Sequence, residues 1–173
     1  MPMVIELARW AIATLFLLVL FVASVSDIRR RQIPNWTVVA LIGLFLGWAF
    51  VGTPLSLISS LEAAAIVFVV TAALFAFGVL GAGDSKLMTV VALFVGLGQL
   101  PLFVIATVLL GGVLAVIGLV VHPTRTWVAL YQMRGKGNLG NSVPYGVAIS
   151  LAGVLVLARG LACSVSACPK LIP

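Results

Sequence analysis

Acidic charge is nearly absent from this chain: 173 residues include four Asp and Glu, ten Lys and Arg, and one histidine. Charged residues make up 8% and hydrophobic residues 63%, where an ordinary soluble domain carries about 25% charge. That balance excludes a soluble globular fold, and the mean hydropathy of +1.30 belongs to an integral membrane protein. The scarcity of histidine narrows the chemistry further. His122 stands beside Pro123 at the end of an apolar run, a place for a hydrated interfacial side chain. No GxSxG or HExxH occurs, and the one histidine completes no Ser-His-Asp set. The two cysteines, Cys163 and Cys168, have four residues between them and no CxxC pair exists, so no four-ligand zinc site forms. The formal charge of +6 raises a nucleic-acid reading. Its lysines and arginines, however, fill short gaps between apolar runs rather than an amphipathic or aromatic surface, so we expect no nucleic-acid partner. Membrane topology and attraction to anionic lipid account for them.

What is present is a succession of apolar runs. The first covers about residues 4–26, long enough for a hydrocarbon core that needs roughly 20 helical residues. Glu6 and Arg9 stand at its start and Arg29, Arg30 and Arg31 follow it, which suits a retained span rather than a cleaved signal. Pro34 and Asn35 suit a helix start. A second run covers about 36–51 and carries Gly43 and Gly47, a small-residue pattern that allows close helix approach. The third covers about 56–80, with Glu62 placed for a hydrated interface. The fourth, 86–98, is short, and Gly96, Gly98 and Pro101 mark the turn into a fifth that ends near Val121. A polar stretch over 122–141 reads as a loop, and a last run covers about 143–161. The four tryptophans fall mostly near run ends, as interfacial anchors would. The expected fold is all-α: a polytopic bundle of about six transmembrane helices, forming one domain over 1–173.

In such a bundle the gaps after runs one, three and five share a face. They hold Arg29, Arg30, Arg31, Lys86, Arg125, Arg134 and Lys136, whereas the other face receives Arg9, Arg159 and Lys170. The positive-inside rule makes the first face cytoplasmic and puts both termini outside. Cys163 and Cys168 then reach the oxidising side, where a disulfide and two free thiols are the alternatives.

The same topology puts Asp27 and Asp84 on one face, each at the end of an apolar run. A carboxylate kept in lipid costs about 2.5 kcal/mol or more unless compensated, so an acid there is a functional-site candidate. Two carboxyls within a few Å in a partly dry site cannot both ionise readily and share a proton. Such a pair can work as acid and base in peptide hydrolysis, one activating water and the other polarising the scissile carbonyl. This chemistry needs no metal or cofactor. Gly81 and Gly83, lacking side chains, would let an extended substrate backbone approach. Other roles stay open. Asp84 could cap the start of the fourth helix, and Asp27 could pair with its neighbouring arginines. The two together could relay protons in a small ion-coupled transporter, or the chain could be a non-catalytic assembly subunit of a pilus or secretion machine. Thr71, Thr89 and Thr107 are expected to bond back to their own helices.

Three stretches carry a resemblance. Gly81-Ala82-Gly83-Asp84-Ser85-Lys86 resembles the GxGDxK motif of the type IV prepilin peptidases, which are intramembrane aspartyl proteases. The segment from Asp27 through Gln32, Ile33, Pro34 and Asn35 is similar to the one that holds that family's first catalytic aspartate. Val143-Pro144-Tyr145-Gly146 is similar to the start of its last span. The resemblance implies that Asp27 and Asp84 are catalytic and that Gly81, Gly83 and Lys86 belong to the motif, with Pro34, Asn35, Pro144, Tyr145 and Gly146 in support. It further implies a prepilin-like membrane substrate cut at the cytoplasmic face of a bacterial inner membrane. The nearer likeness is to the minimal peptidases of tight-adherence (Flp) pilus systems, without the methyltransferase region of larger members. Because prepilin leaders are basic, the arginines and lysines are expected to hold anionic lipid, and the substrate to be held by its apolar helix between the spans.

Overall fold

In lipid every backbone amide must find a partner within the chain, which drives long apolar runs into helix. The computed structural model describes residues 2–30, 32–51, 56–121 and 145–165. Five helices form among them: α1 (Pro2–Arg30), α2 (Asn35–Phe50), α3 (Leu57–Ala76), α4 (Ala82–Val121) and α5 (Tyr145–Val165). Three are long and apolar enough to cross a membrane, over Met3–Arg30, Leu57–Ala76 and Ala82–Ile117, while α2 and the Tyr145–Arg159 part of α5 are shorter apolar helices. The chain is a multi-pass membrane protein with an all-α fold.

Several boundaries differ from the expected ones, each for a local reason. α1 continues past Ser26 to Arg30, with Arg29 and Arg30 in its last turn, where cations suit the negative end of the helix dipole. Asp27 is therefore inside a helix rather than beyond it. α3 stops at Ala76 because Gly78 takes a left-handed φ of 72°. The Val79 N–H can then donate to the Leu74 carbonyl at 2.9 Å, which satisfies an end the helix would leave open. α4 starts at Ala82, ahead of Lys86, and runs to Val121 with one non-helical residue, Gly96, at φ 68° and ψ 170°. The turn expected around Gly96, Gly98 and Pro101 thus falls on Gly96, and Pro101 is inside helix.

That single residue reverses the chain. α3 lies antiparallel to the first segment of α4: the Ser85 hydroxyl meets Thr71, and the Leu97 N–H donates to Ser59 Oγ at 3.0 Å. α5 places Gly153 against Val91, yet its opening residue Tyr145 lies against Gly111. A straight helix would separate residues 91 and 111 by about 30 Å, whereas residues 145 and 153 span only about 12 Å. The second segment must double back. Likewise α5 packs antiparallel to α1, with the Ser150 hydroxyl donating to the Leu20 carbonyl and Gly146 donating to Asp27.

Helices in lipid associate through packing rather than through expulsion of water, and the core is accordingly close-fitted. Phe16, Leu20, Leu41, Leu87, Phe103 and Ile149 are fully buried. Phe94 packs against Phe16 at 4.5 Å between centroids with the rings tilted by 48°, and meets Phe45 edge-on at 5.4 Å, each pair worth about 0.5–1.5 kcal/mol. Trp48 is buried in this core rather than anchored at an interface, because it faces inward on a short helix; Trp10 and Trp36 are exposed as expected. Of the Gly43 and Gly47 pair only Gly47 approaches a neighbour, Ile12. Glu62 is exposed.

Candidate active site

Two helix ends, far apart in sequence, carry the two aspartates. Asp27 sits in the last turn of α1 and is buried at 6% exposure. Burial of a carboxylate requires donors, and the Gly146 N–H, from the first turn of α5, donates to Asp27 Oδ2 at 2.7 Å. Helix-opening amides have no partner within their own helix, so this donor is available by position.

Asp84 comes from the opposite kind of helix end. α4 begins two residues ahead of it, so the carboxylate lies inside the first turn rather than at the cap. Acids there are favoured by the positive end of the dipole. Its side chain folds back over Gly81: a Cβ on Gly81 would stand 3.0 Å from Asp84 Oδ2. Asp84 is half-buried, and Asp27 is near enough for its charge to act on it.

The neighbours of Asp84 hold the turn on three sides. The Ser85 N–H closes it on the Gly81 carbonyl at 3.0 Å. The Ser85 hydroxyl donates to Thr71 Oγ1 on α3 at 2.9 Å, and the Thr71 hydroxyl donates to the Val67 carbonyl at 2.7 Å. Lys86 is exposed and its Nζ donates to Asn35 Oδ1 at 3.2 Å, which links the turn to the start of α2. Pro34 precedes α2, and its carbonyl accepts from both the N–H and the hydroxyl of Thr37. Between α1 and α2 the Ser26 hydroxyl donates to the Gln32 carbonyl at 2.9 Å.

The glycines have neighbours within the chain. A Cβ on Gly83 would meet Ile33 Cβ at 3.2 Å, so Gly83 admits the α1–α2 connection against the first turn of α4. The space left at Gly81 is taken by Asp84 itself. Gly146 is buried, and a Cβ there would lie 2.7 Å from Asp27 Oδ2. Tyr145 packs on Gly111. Pro144, Cys168 and the 122–141 stretch with His122 lie outside the described residues. Cys163 falls within α5, but its side chain is not described, so the disulfide expectation lies outside them too.

Thr71, Thr89 and Thr107 all bond back to carbonyls four residues earlier, as expected for hydroxyls in apolar helices. The second link, from Ser85 to Thr71, carried no sequence signal, because a hydroxyl on an apolar helix looks the same whether or not another helix reaches it. Gly111 likewise stood in no motif. Among the described residues, no three His, Cys, Asp or Glu side chains gather to hold a metal ion. Between α1 and α5 a mainly apolar groove of about 530 Å³ is lined by Leu17, Phe21, Ser24, Leu151 and Val154, among others. Its Ser24 end is one helical turn from Asp27.

Comparison with known proteins adds one match. A family model described as the type IV leader peptidase family matches residues 14–116, more than half of the chain, a stretch that contains both aspartates and ends ahead of Tyr145 and Gly146. No curated protein and no solved structure matches the chain significantly.

Proposed function

The chain belongs to the type IV leader peptidase family, whose members are aspartic prepilin peptidases, and on that premise we propose that Asp27 and Asp84 are its catalytic pair. The observation that carries this is the packing of Gly83, beside Asp84, on Ile33 in the connection that follows Asp27's helix, which sets the first turn of α4 against the chain leaving the last turn of α1. One carboxyl takes a proton from water as the water oxygen bonds to the scissile carbonyl carbon, while the other, protonated, donates a hydrogen bond to the carbonyl oxygen. The C–N bond then breaks and the leaving amine takes up a proton. The Gly146 amide on Asp27 and the Ser85–Thr71 pair beside Asp84 support the reading, because they fix both carboxyl-bearing turns.

The substrate in this reading is a prepilin-like precursor of the Flp type, whose apolar helix lies between the spans. The groove of α1 and α5 supports that placement, since it is apolar and ends one turn from Asp27. The reversal at Gly96 supports six crossings in all, with the gaps after α1, α3 and α4 facing the cytoplasm of a bacterial inner membrane. Both termini are then outside, and Arg29, Arg30 and Lys86 face anionic headgroups.

The test is to co-express the chain with a prepilin-like precursor and follow precursor size. Wild type shortens it, and Asp27→Asn and Asp84→Asn each slow shortening by about 100- to 10,000-fold, the usual worth of a general acid or base. Shortening at the wild-type rate by either variant would sink the assignment.

A further inference from the structure

The first two residues of α5 face opposite ways, and each leans on a glycine or a carboxyl of another helix. Tyr145 turns its ring toward α4: a Cβ on Gly111 would stand 2.8 Å from Tyr145 Cε1 and 3.4 Å from Cδ1 and Cζ. The first distance is shorter than any ordinary carbon contact, so the ring seats there only because residue 111 has no side chain. Gly146 turns its N–H toward α1 and donates to Asp27 Oδ2 at 2.7 Å. Residue 146 must itself be glycine, since a Cβ would stand 2.7 Å from Oδ2 and 3.0 Å from Cγ. A line of contact therefore runs from Gly111 through the Tyr145 ring and the Gly146 amide to Asp27.

We propose that Gly111 is a positioning residue for the cleavage reaction: the room it leaves for Tyr145 sets where the Gly146 amide stands, and so how the Asp27 carboxyl is turned. The inference rests on Asp27 being catalytic. Gly112, next in sequence, provides the contrast, because it is exposed and a Cβ there meets nothing within 4 Å. Both substitutions exchange a helical glycine for alanine, yet only one of them touches the line.

The size of the effect follows from the gap. To reach ordinary contact the ring must retreat by about 0.6 Å, and a misplacement of about 1 Å at a reacting group costs about 100-fold. Gly111→Ala should therefore lower kcat about tenfold with KM changed less than twofold, in the full chain purified in micelles and given a prepilin-like precursor. Gly112→Ala should keep the wild-type kcat. Tyr145→Leu should lower kcat as well, and adding Gly111→Ala to it should cost nothing more, since the ring it collides with is gone. Additive losses, or equal losses in the two alanine variants, overturn the proposal. A second readout does not need cleavage: the amide resonance of Gly146 in glycine-¹⁵N-labelled protein, identified by its disappearance in Gly146→Ala. It should move in Asp27→Asn and in Gly111→Ala and stay in place in Gly112→Ala. A resonance unmoved by Gly111→Ala overturns the positioning line even if cleavage is normal. One that moves as expected in a protein that cleaves nothing upholds the line and counts against the peptidase reading alone.

Discussion

Replacing Thr71 with valine removes one hydroxyl and almost no volume, and it isolates what the Ser85–Thr71 pair contributes. Thr71 is 2% exposed and Ser85 7%, so neither hydroxyl has water in reach. The helix bond from Thr71 to Val67 is a minor loss, because that carbonyl also takes the backbone amide four residues on. The main loss is at Ser85, whose hydroxyl is left without its acceptor at 2.9 Å. A stranded buried donor costs about 1–3 kcal/mol, while interhelical hydrogen bonds in membrane proteins average about 0.6 and reach about 1.7 kcal/mol. The local alternative open to Ser85, rotation toward a carbonyl of its own helix, favours the lower figures, and we expect Thr71→Val to destabilise by about 1 kcal/mol. Removing both hydroxyls, in Thr71→Val/Ser85→Ala, should recover most of that, because two apolar partners leave nothing unsatisfied. Cleavage should behave otherwise. The pair also pins the turn that holds Asp84, so the double variant regains stability and still cleaves several-fold more slowly than wild type. Unfolding in a denaturing detergent series, with precursor cleavage on the same preparations, measures both. Cleavage that rises and falls with stability across Thr71→Val, Ser85→Ala and the double variant would refute the reasoning, as would energies that simply add.

Two further substitutions probe the frame around the site. Gly96→Ala forces a side chain into a backbone region that glycine alone occupies comfortably and should cost about 1–3 kcal/mol, read as a lowered midpoint of thermal unfolding. Gly98→Ala, two residues on in ordinary helix with open space around it, should stay within about 1 kcal/mol of wild type. Lys86→Met removes an exposed hydrogen bond to Asn35 and should shift stability by less than about 1 kcal/mol. Its effect on cleavage should stay far below that of either aspartate variant, although Lys86 and Asp84 belong to the same motif.

The helices were legible because lipid permits little else. A run of twenty apolar residues has one available conformation, and glycines such as Gly78 and Gly96 break it where they take a positive φ. That Asp27 and Asp84 belong to helix ends was legible too, since one closes an apolar run and the other opens one. Side-to-side packing was harder to read. In a soluble helix the polar face marks the side turned away from the core, but α2, α3 and α4 are apolar all around, so nothing along the chain shows that Trp48 turns inward or that Ile33 fills the space over Gly83. For the same reason Gly111 and Gly112 look alike in sequence, and only the ring of Tyr145 distinguishes them.

The reversal at Gly96 makes the second segment of α4 a lever. Its fulcrum is the Ser59 hydroxyl under the Leu97 amide, and Gly111, fourteen residues on at about 1.5 Å each, rides roughly 21 Å away. A tilt of about 3° at the fulcrum swings Gly111 by about 1 Å, which is the scale of displacement at which a reacting group loses about two powers of ten in rate. If Asp27 is catalytic as proposed, stiffness at a turn about 21 Å from Gly111 is as much a requirement of the site as the residues that touch the carboxyls.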